Sequence, residues 1–461
     1  MAGLIAASAA IRLAFAGAFG LGVDESYMVA AGRVLRWGYF DHPPLAWWIS
    51  HLAWDDSAFA VRLPFIALFA LSTWLMFRLT ASLFDDRAGL WAALALNLSP
   101  VFGVSSASWV LPDGPMICAL LGMGVCLVHG LERPSALVWA GVGVGAGLAL
   151  LSKYTAVLPI FGVLIYLIVM PRHRGLLRTP YPWLALLVAL AVFSPVLMWN
   201  ASHNWISFAF QGGRAGGARF NLLGPITVLA GEALFLLPWI WLPMMIVLWS
   251  GLRRGHLLAW MAVGPILLFV VVALWSPRIL FHWAAAGYLF LFPLLGVWLA
   301  ARAPVRAAWA TVGVLVSVAA TAVVLLHLNP WPLTPDPGLQ ALDWTPLRGA
   351  LAERGLLGAR IAAPNWSDAG KIDYALGGDP AVICLNMDAR QYLFAPGPIR
   401  GSDILIIAPR QSEARIRADY AGAFASIETL PPALFRLPGR DRVAFGLYLG
   451  RNLSSWPPTS R

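Results

Sequence analysis

The sequence predicts a polytopic α-helical membrane protein of about 11 transmembrane helices, residues 1–328, followed by a small C-terminal α/β domain, residues 329–461. Three observations predict it. The chain is 59% hydrophobic and only 12% charged, with a mean hydropathy of +0.73, whereas a soluble domain carries about a quarter charged residues. Apolar stretches near the ~20 residues that cross a hydrocarbon layer recur up to about residue 328. The formal charge of +10 is carried mainly by the apolar part: residues 1–330 hold 18 Lys or Arg against 10 Asp or Glu, and residues 331–461 hold 14 against 12. The basic residues are scattered rather than clustered, which argues against a nucleic-acid partner.

The expected spans are 3–21, 62–83, 88–107, 114–131, 135–151, 154–170, 182–199, 225–249, 257–275, 284–300 and 307–328. Arg12 inside the first span, followed closely by Asp24 and Glu25, argues against a cleavable signal peptide. Lys and Arg accumulate on the cytoplasmic side of short connections. With the N-terminus inside, the inner loops carry Arg87, then Arg133, then Arg172, Arg174 and Arg178, then Arg253 and Arg254, then Arg302 and Arg306. The connections at 22–61, 108–113, near 153, 200–224 and 276–283 then face outward with the C-terminal domain. That domain begins with Pro330, Pro332, Pro335 and Pro337. The short apolar runs Ala381–Leu385 and Asp403–Ile407 read as strands, and Gln411–Ala423 reads as a helix.

In a chain this apolar, ionisable residues near the membrane carry the functional information. Asp24 and Glu25 follow the first span, with Tyr27 close by; a carboxylate at an interface can serve as a general base. In the same loop, Tyr39 leads into Asp41 and His42, which two prolines, Pro43 and Pro44, set on a stiff turn. Asp41 with His42 could coordinate a divalent metal ion, although two adjacent ligands are a weak pattern. Asp113 stands alone in a tight outward turn. Lys153, one of only two lysines, is flanked by long apolar runs and needs water or an anion, for which a phosphate is well suited. The outward loops also hold Asp55, Asp56, His203, Arg214, Arg219, Arg278 and His282, and Arg278 departs from the basic-inside distribution.

Several of these motifs fall in one order: Asp24-Glu25-Ser26-Tyr27, Gly38-Tyr39-Phe40-Asp41-His42-Pro43-Pro44-Leu45, Val61-Arg62-Leu63-Pro64, Pro112-Asp113-Gly114-Pro115, Leu151-Ser152-Lys153-Tyr154-Thr155, and Trp199-Asn200 leading to His203-Asn204-Trp205. The sequence thereby resembles the polytopic glycosyltransferases of the C superfamily (GT-C fold), especially glycosyltransferase family 39, related to protein O-mannosyltransferases and the lipid A aminoarabinose transferase. The resemblance implies transfer of a sugar from a polyprenyl-phosphate donor at the periplasmic face of the bacterial cytoplasmic membrane. The acceptor would be lipid A or a core saccharide, another glycolipid or glycan, or a protein. Asp24 would be the general base, and Asp113 would support it or the acceptor. Lys153, with Arg214 and Arg278, would hold the donor phosphate. Glu25, Tyr27, Tyr39, His42, His203 and His282 would contact substrate. In relatives the position of Asp41 can contribute to a metal site and a lysine follows it; here that next residue is His42.

With a phosphate leaving group, the chemistry needs one base and stabilisation of departing charge. One proposed base and no carboxylate nucleophile imply inversion at the anomeric carbon. A membrane transporter or flippase is the competing reading. The outer position of the ionisable residues, the folded outer domain and the lack of a detectable inverted repeat argue against it.

Overall fold

The computed structural model describes residues 1–217, 220–325, 337–437 and 440–454. Arg219, Pro330, Pro332 and Pro335 lie outside the described residues. Among the described residues, five helices are long and apolar enough to cross a membrane: Ala58–Leu83, Asp113–Glu132, Tyr181–Ser202, Ala285–Arg302 and Val305–Val323. Four further helix pairs qualify if each bent pair counts as one span, and Ala136–Ser152 and Leu257–Val272 are shorter apolar helices. Length and composition thus give five to nine crossings, where the sequence suggested about eleven. The chain is a multi-pass membrane protein whose helices present large apolar side chains outward, among them Leu186, Leu187 and Leu190.

Proline explains two of the bends. The stretch expected as one span over 88–107 is Asp86–Leu98 followed by Val101–Ser108, turned by 79°. Ser99, the residue before Pro100, is driven to an extended conformation. The expected span 225–249 is two helices, Gly224–Leu236 and Pro238–Arg253, at 114°. Leu237 between them has φ 72°, and Pro238 starts the second helix, so the ladder of hydrogen bonds cannot continue.

Small residues bring the helices close. A Cβ on Gly145 would lie 2.8 Å from Met123 Cβ, which puts Ala136–Ser152 in backbone contact with Asp113–Glu132. On another side, a Cβ on Gly143 would meet Ala185 O at 2.5 Å and one on Gly147 would meet Val192 Cβ at 2.6 Å, seating Tyr181–Ser202. This is the small-residue packing by which helices associate in lipid, where no hydrophobic drive separates them from solvent.

The chain folds as two compact units. The first holds Met1–Ala14, Arg36–Leu52 and Arg62–Leu315; the second holds Phe15–Leu35, Ala53–Val61 and Val316–Arg461. The expected division at 328/329 therefore differs from the observed one, because parts of the first loop fold with the C-terminal segment. The reason is the short helix Val23–Gly32, which buries every residue from Glu25 to Ala30. Within the second unit it packs against helix Trp366–Leu376.

The second unit also contains a five-stranded sheet. Strands β1 (Ile361–Ala363), β2 (Val382–Cys384) and β3 (Ile404–Ala408) are parallel, and β4 (Phe424–Leu437) with β5 (Arg440–Leu453) forms an antiparallel hairpin. The order is β2-β1-β3-β5-β4. Every residue of β1, β2 and β3 is buried, as expected for parallel strands covered on both faces. The two apolar runs read as strands are β2 and β3, and the helix expected within 411–423 is Glu413–Asp419.

Candidate active site

The polar centre of the first unit is an ion pair between two adjoining helices. Helix Ala136–Ser152 ends because Lys153 is extended, at φ −152° and ψ 132°. Ser152 Oγ donates to Pro112 O at 2.7 Å, which pins this terminus to the start of helix Asp113–Glu132. Lys153 Nζ then donates to both carboxylate oxygens of Asp113, at 2.8 and 2.9 Å. Both side chains are about nine-tenths buried, with 9% and 10% exposure. An ammonium has three N–H donors. Two serve Asp113, and the third has no protein partner among the described residues.

The loop at 36–52 supplies the next groups. Tyr39 stacks on Trp47 at 4.0 Å, and its hydroxyl accepts from the Arg36 amide at 3.3 Å. Burial with this packing pushes the Tyr39 phenol up to about 12, so it stays neutral. Gly38 lies against the Trp199 ring so closely that a Cβ would sit 2.7 Å from it, and Gln211 Nε2 donates to the Asp41 carbonyl. These contacts fix Asp41 and His42 in place. Asp41 is 1% exposed, and the buried His42 Nδ1 has no hydrogen-bond partner among the described residues.

Electrostatics tie the groups together. Burial holds the His42 imidazole down at about 4; Asp41 and Asp113 oppose the shift, while Lys153 and Arg214 reinforce it. His282 is likewise held at about 4, by burial first and then by Lys153 and Arg214 against Asp113. Both imidazoles are neutral at neutral pH, so each offers one donor and one acceptor. Arg214 lies 4.4 Å above the Trp283 ring, and its backbone carbonyl accepts from Ser276 Oγ at 2.9 Å. The structure thus brings together Asp41, His42, Asp113, Lys153, Arg214 and His282.

The remaining expected residues lie elsewhere. His203 stacks on Trp199 at 4.1 Å, and its Nδ1 lies 2.8 Å from Trp199 O. Arg278 is exposed, with its backbone amide donating to Ser276 Oγ at 3.4 Å. In the second unit, Asp24 is exposed on the first turn of Val23–Gly32. Glu25 beside it is buried, and its Oε2 accepts from Gly22 N at 3.0 Å, so it closes the helix N-terminus. Tyr27 is 2% exposed; its hydroxyl accepts from Gln391 N at 3.1 Å, and its ring meets Trp366 edge-on at 5.3 Å. Glu25 and Tyr27 have capping and packing roles that the substrate-contact expectation did not anticipate.

Two buried charges escaped the sequence reading of the site. Arg12, within the first span, donates to Ser8 O and Gly103 O at 2.9 and 2.8 Å. Glu232, 1% exposed, accepts from Tyr288 OH at 2.7 Å. Each is a lone charge in an apolar run, and that isolation was the available signal. Among the described residues, no group of three or more His, Cys, Asp or Glu side chains converges on a point that could hold a metal ion. Asp41 and His42 alone supply two adjacent ligands, fewer than such a centre needs.

Residues 41–199 match the family model described as dolichyl-phosphate-mannose-protein mannosyltransferase, a stretch that contains Asp41, His42, Asp113 and Lys153. Over 301 residues the chain is 24% identical to the lipid A galacturonosyltransferase RgtD of Rhizobium johnstonii, covering 60% of each chain; the chain thus spans about 60% of that curated relative. The crystal structure of ArnT from Cupriavidus metallidurans in the apo state superposes with a TM-score of 0.64 at 15% identity, covering 96% of this chain and 97% of ArnT. ArnT bound to undecaprenyl phosphate gives 0.63 at 16% identity with the same coverage. By sequence over residues 41–199 and by fold over nearly its whole length, the chain resembles the GT-C glycosyltransferases.

Proposed function

We infer that the protein is a glycosyltransferase that moves a sugar from a polyprenyl-phosphate donor to an acceptor hydroxyl at the outer face of the bacterial cytoplasmic membrane. The observation that carries this reading is the buried Lys153–Asp113 pair, with one ammonium donor unspent and neutral His42 and His282 beside it. The phosphodiester of the donor meets that N–H and the Arg214 guanidinium, while Asp113 keeps the ammonium aimed. The relatives support the substrate class: ArnT has been solved with undecaprenyl phosphate, and RgtD acts on lipid A.

In the proposed reaction, the Asp24 carboxylate takes the proton of the acceptor hydroxyl as its oxygen attacks the anomeric carbon. The bond from that carbon to the phosphate oxygen breaks, and the polyprenyl phosphate leaves with the electron pair. Lys153 and Arg214 stabilise the charge that develops on the departing oxygen, with Arg278 as a further cation. One displacement inverts the anomeric centre. Lipid A or its core saccharide is the acceptor class nearest to the relatives; other glycolipids, glycans and proteins carry the same hydroxyl chemistry.

The experiment is mass spectrometry of lipid and glycan extracts from cells with and without the gene, reading the transferred sugar as a mass difference. Asp24→Asn should abolish that product while leaving the folded protein and its affinity for undecaprenyl phosphate intact. Full turnover by Asp24→Asn refutes the assignment of the base.

A further inference from the structure

We propose that the C-terminal domain positions Asp24: helix Trp366–Leu376 grips helix Val23–Gly32 at its beginning, middle and end, and thereby sets where the carboxylate stands. The proposal rests on the reading of Asp24 as the base. All of the residues involved belong to the second unit.

The grip at the beginning is Lys371, a lysine only 1% exposed. Its Nζ donates to Leu21 O at 2.8 Å, three residues before Asp24, and to Leu342 O, and it lies 5.0 Å over the Trp344 ring. Burying an ammonium is costly, and here its donors are spent on two main-chain carbonyls far apart in sequence. In the middle, Gly370 faces Tyr27 so closely that a Cβ would lie 2.8 Å from Tyr27 Cα and Cβ. At the end, Arg33 Nη1 donates to Asp373 Oδ1 at 3.2 Å and to Asp373 O at 3.1 Å. A helix of 10 residues is too short to hold its own place in water, so these contacts determine its position. Asp24, in the first turn, is exposed, so it is presented at the start of a helix whose next six residues, Glu25 to Ala30, are all buried.

A base misplaced by about 1 Å loses on the order of 100-fold in rate. Gly370→Ala forces the two helices apart by some tenths of an ångström, because the atoms it meets are backbone and Cβ rather than a flexible tip. Arg33→Gln releases one end while keeping a side chain at that position, and its partial exposure makes folding secure. Each full-length variant is purified in detergent. Turnover per folded protein is read from the mass-shifted product, and affinity is measured with undecaprenyl phosphate alone as the probe. The expected result is a loss of turnover of about 3- to 10-fold for Gly370→Ala and a smaller loss for Arg33→Gln, with undecaprenyl phosphate affinity within about twofold of wild type. Wild-type turnover in both variants overturns the proposal. So does a parallel fall in affinity, which would show that the domain acts on the fold generally and not on Asp24. Asp24→Asn, measured alongside, separates the two ideas: its full activity would refute the base, whereas its inactivity beside normal Gly370→Ala and Arg33→Gln would refute only the positioning.

Discussion

Removing either partner of the Lys153–Asp113 pair should destabilise the protein far more than removing both. The two side chains are 9% and 10% exposed and are joined by two hydrogen bonds of 2.8 and 2.9 Å. Lys153→Met leaves a carboxylate with no cation at that contact, and Asp113→Asn leaves an ammonium with no anion; breaking a buried pair in this way costs about 3–5 kcal/mol. Changing both removes both desolvation costs, so the double variant should return to within about 1–2 kcal/mol of wild type. Unfolding of the four proteins in the same detergent gives the cycle directly, and the coupling between the two sites should be several kcal/mol. Phosphate binding follows a different rule. The restored double variant has lost the third ammonium donor, so its affinity for undecaprenyl phosphate should remain low while its stability recovers. Additive losses, or single variants within about 1 kcal/mol of wild type, would refute the view that the pair is a buried, mutually dependent unit.

Other outcomes follow from the same contacts. His42 and His282 are held at about 4 against an ordinary 6.5, so the unfolded chain takes up protons first as pH falls. Stability should therefore be full above about pH 6.5 and decline towards pH 4, by up to about 3 kcal/mol for each imidazole; equal unfolding midpoints at pH 7.5 and 5 would contradict this. Gly143→Val places side-chain atoms where Ala185 O already stands, and should cost about 1–3 kcal/mol on thermal unfolding. Tyr288→Phe removes the hydroxyl that donates to Glu232 at 2.7 Å and accepts from Trp241 Nε1 at 2.9 Å. It should cost about 1–3 kcal/mol, and Glu232→Gln, which keeps an acceptor for Tyr288, should cost less.

The sequence made Lys153 visible because a lone lysine between long apolar runs has no cheap explanation. Its partner was not legible, since Asp113 lies 40 residues away and meets it only because Gly145, Gly143 and Gly147 allow three helices to close up. That the chain crosses the membrane repeatedly was legible from hydropathy, whereas the number of crossings was not, and the bends at Ser99 and Leu237 depend on how particular prolines are accommodated. Glu232 was hidden by averaging, since one charge among some twenty apolar residues barely changes a window, and Arg12 was read only for targeting, not as a buried charge. That also weakens one sequence-based argument against a transporter, because not every ionisable group lies at the outer ends. Asp24, Glu25 and Tyr27 read as one motif because they are neighbours in sequence, but Asp24 and Glu25 point about 100° apart on the helix, and Tyr27 lies one turn further on, where helix Trp366–Leu376 covers it. Asp24 is exposed, while Glu25 and Tyr27 turn inward.

The two lysines share a property that their separation in sequence conceals. Each is buried, and each bridges groups far apart in sequence: Lys153 meets Asp113 across the ends of two neighbouring helices, and Lys371 joins Leu21 to Leu342. An ammonium suits this task because its three donors are compact and diverge, whereas a planar guanidinium best serves a partner that it can meet side-on. Lys→Arg at either position is therefore not conservative. At Lys371 the larger fork has to displace Trp344 or one of the carbonyls, and at Lys153 a bidentate guanidinium would consume the carboxylate without leaving a donor in the same direction. If Lys153→Arg kept both stability and undecaprenyl phosphate affinity, the geometry of the third ammonium donor would lose its meaning, and positive charge alone would account for the site.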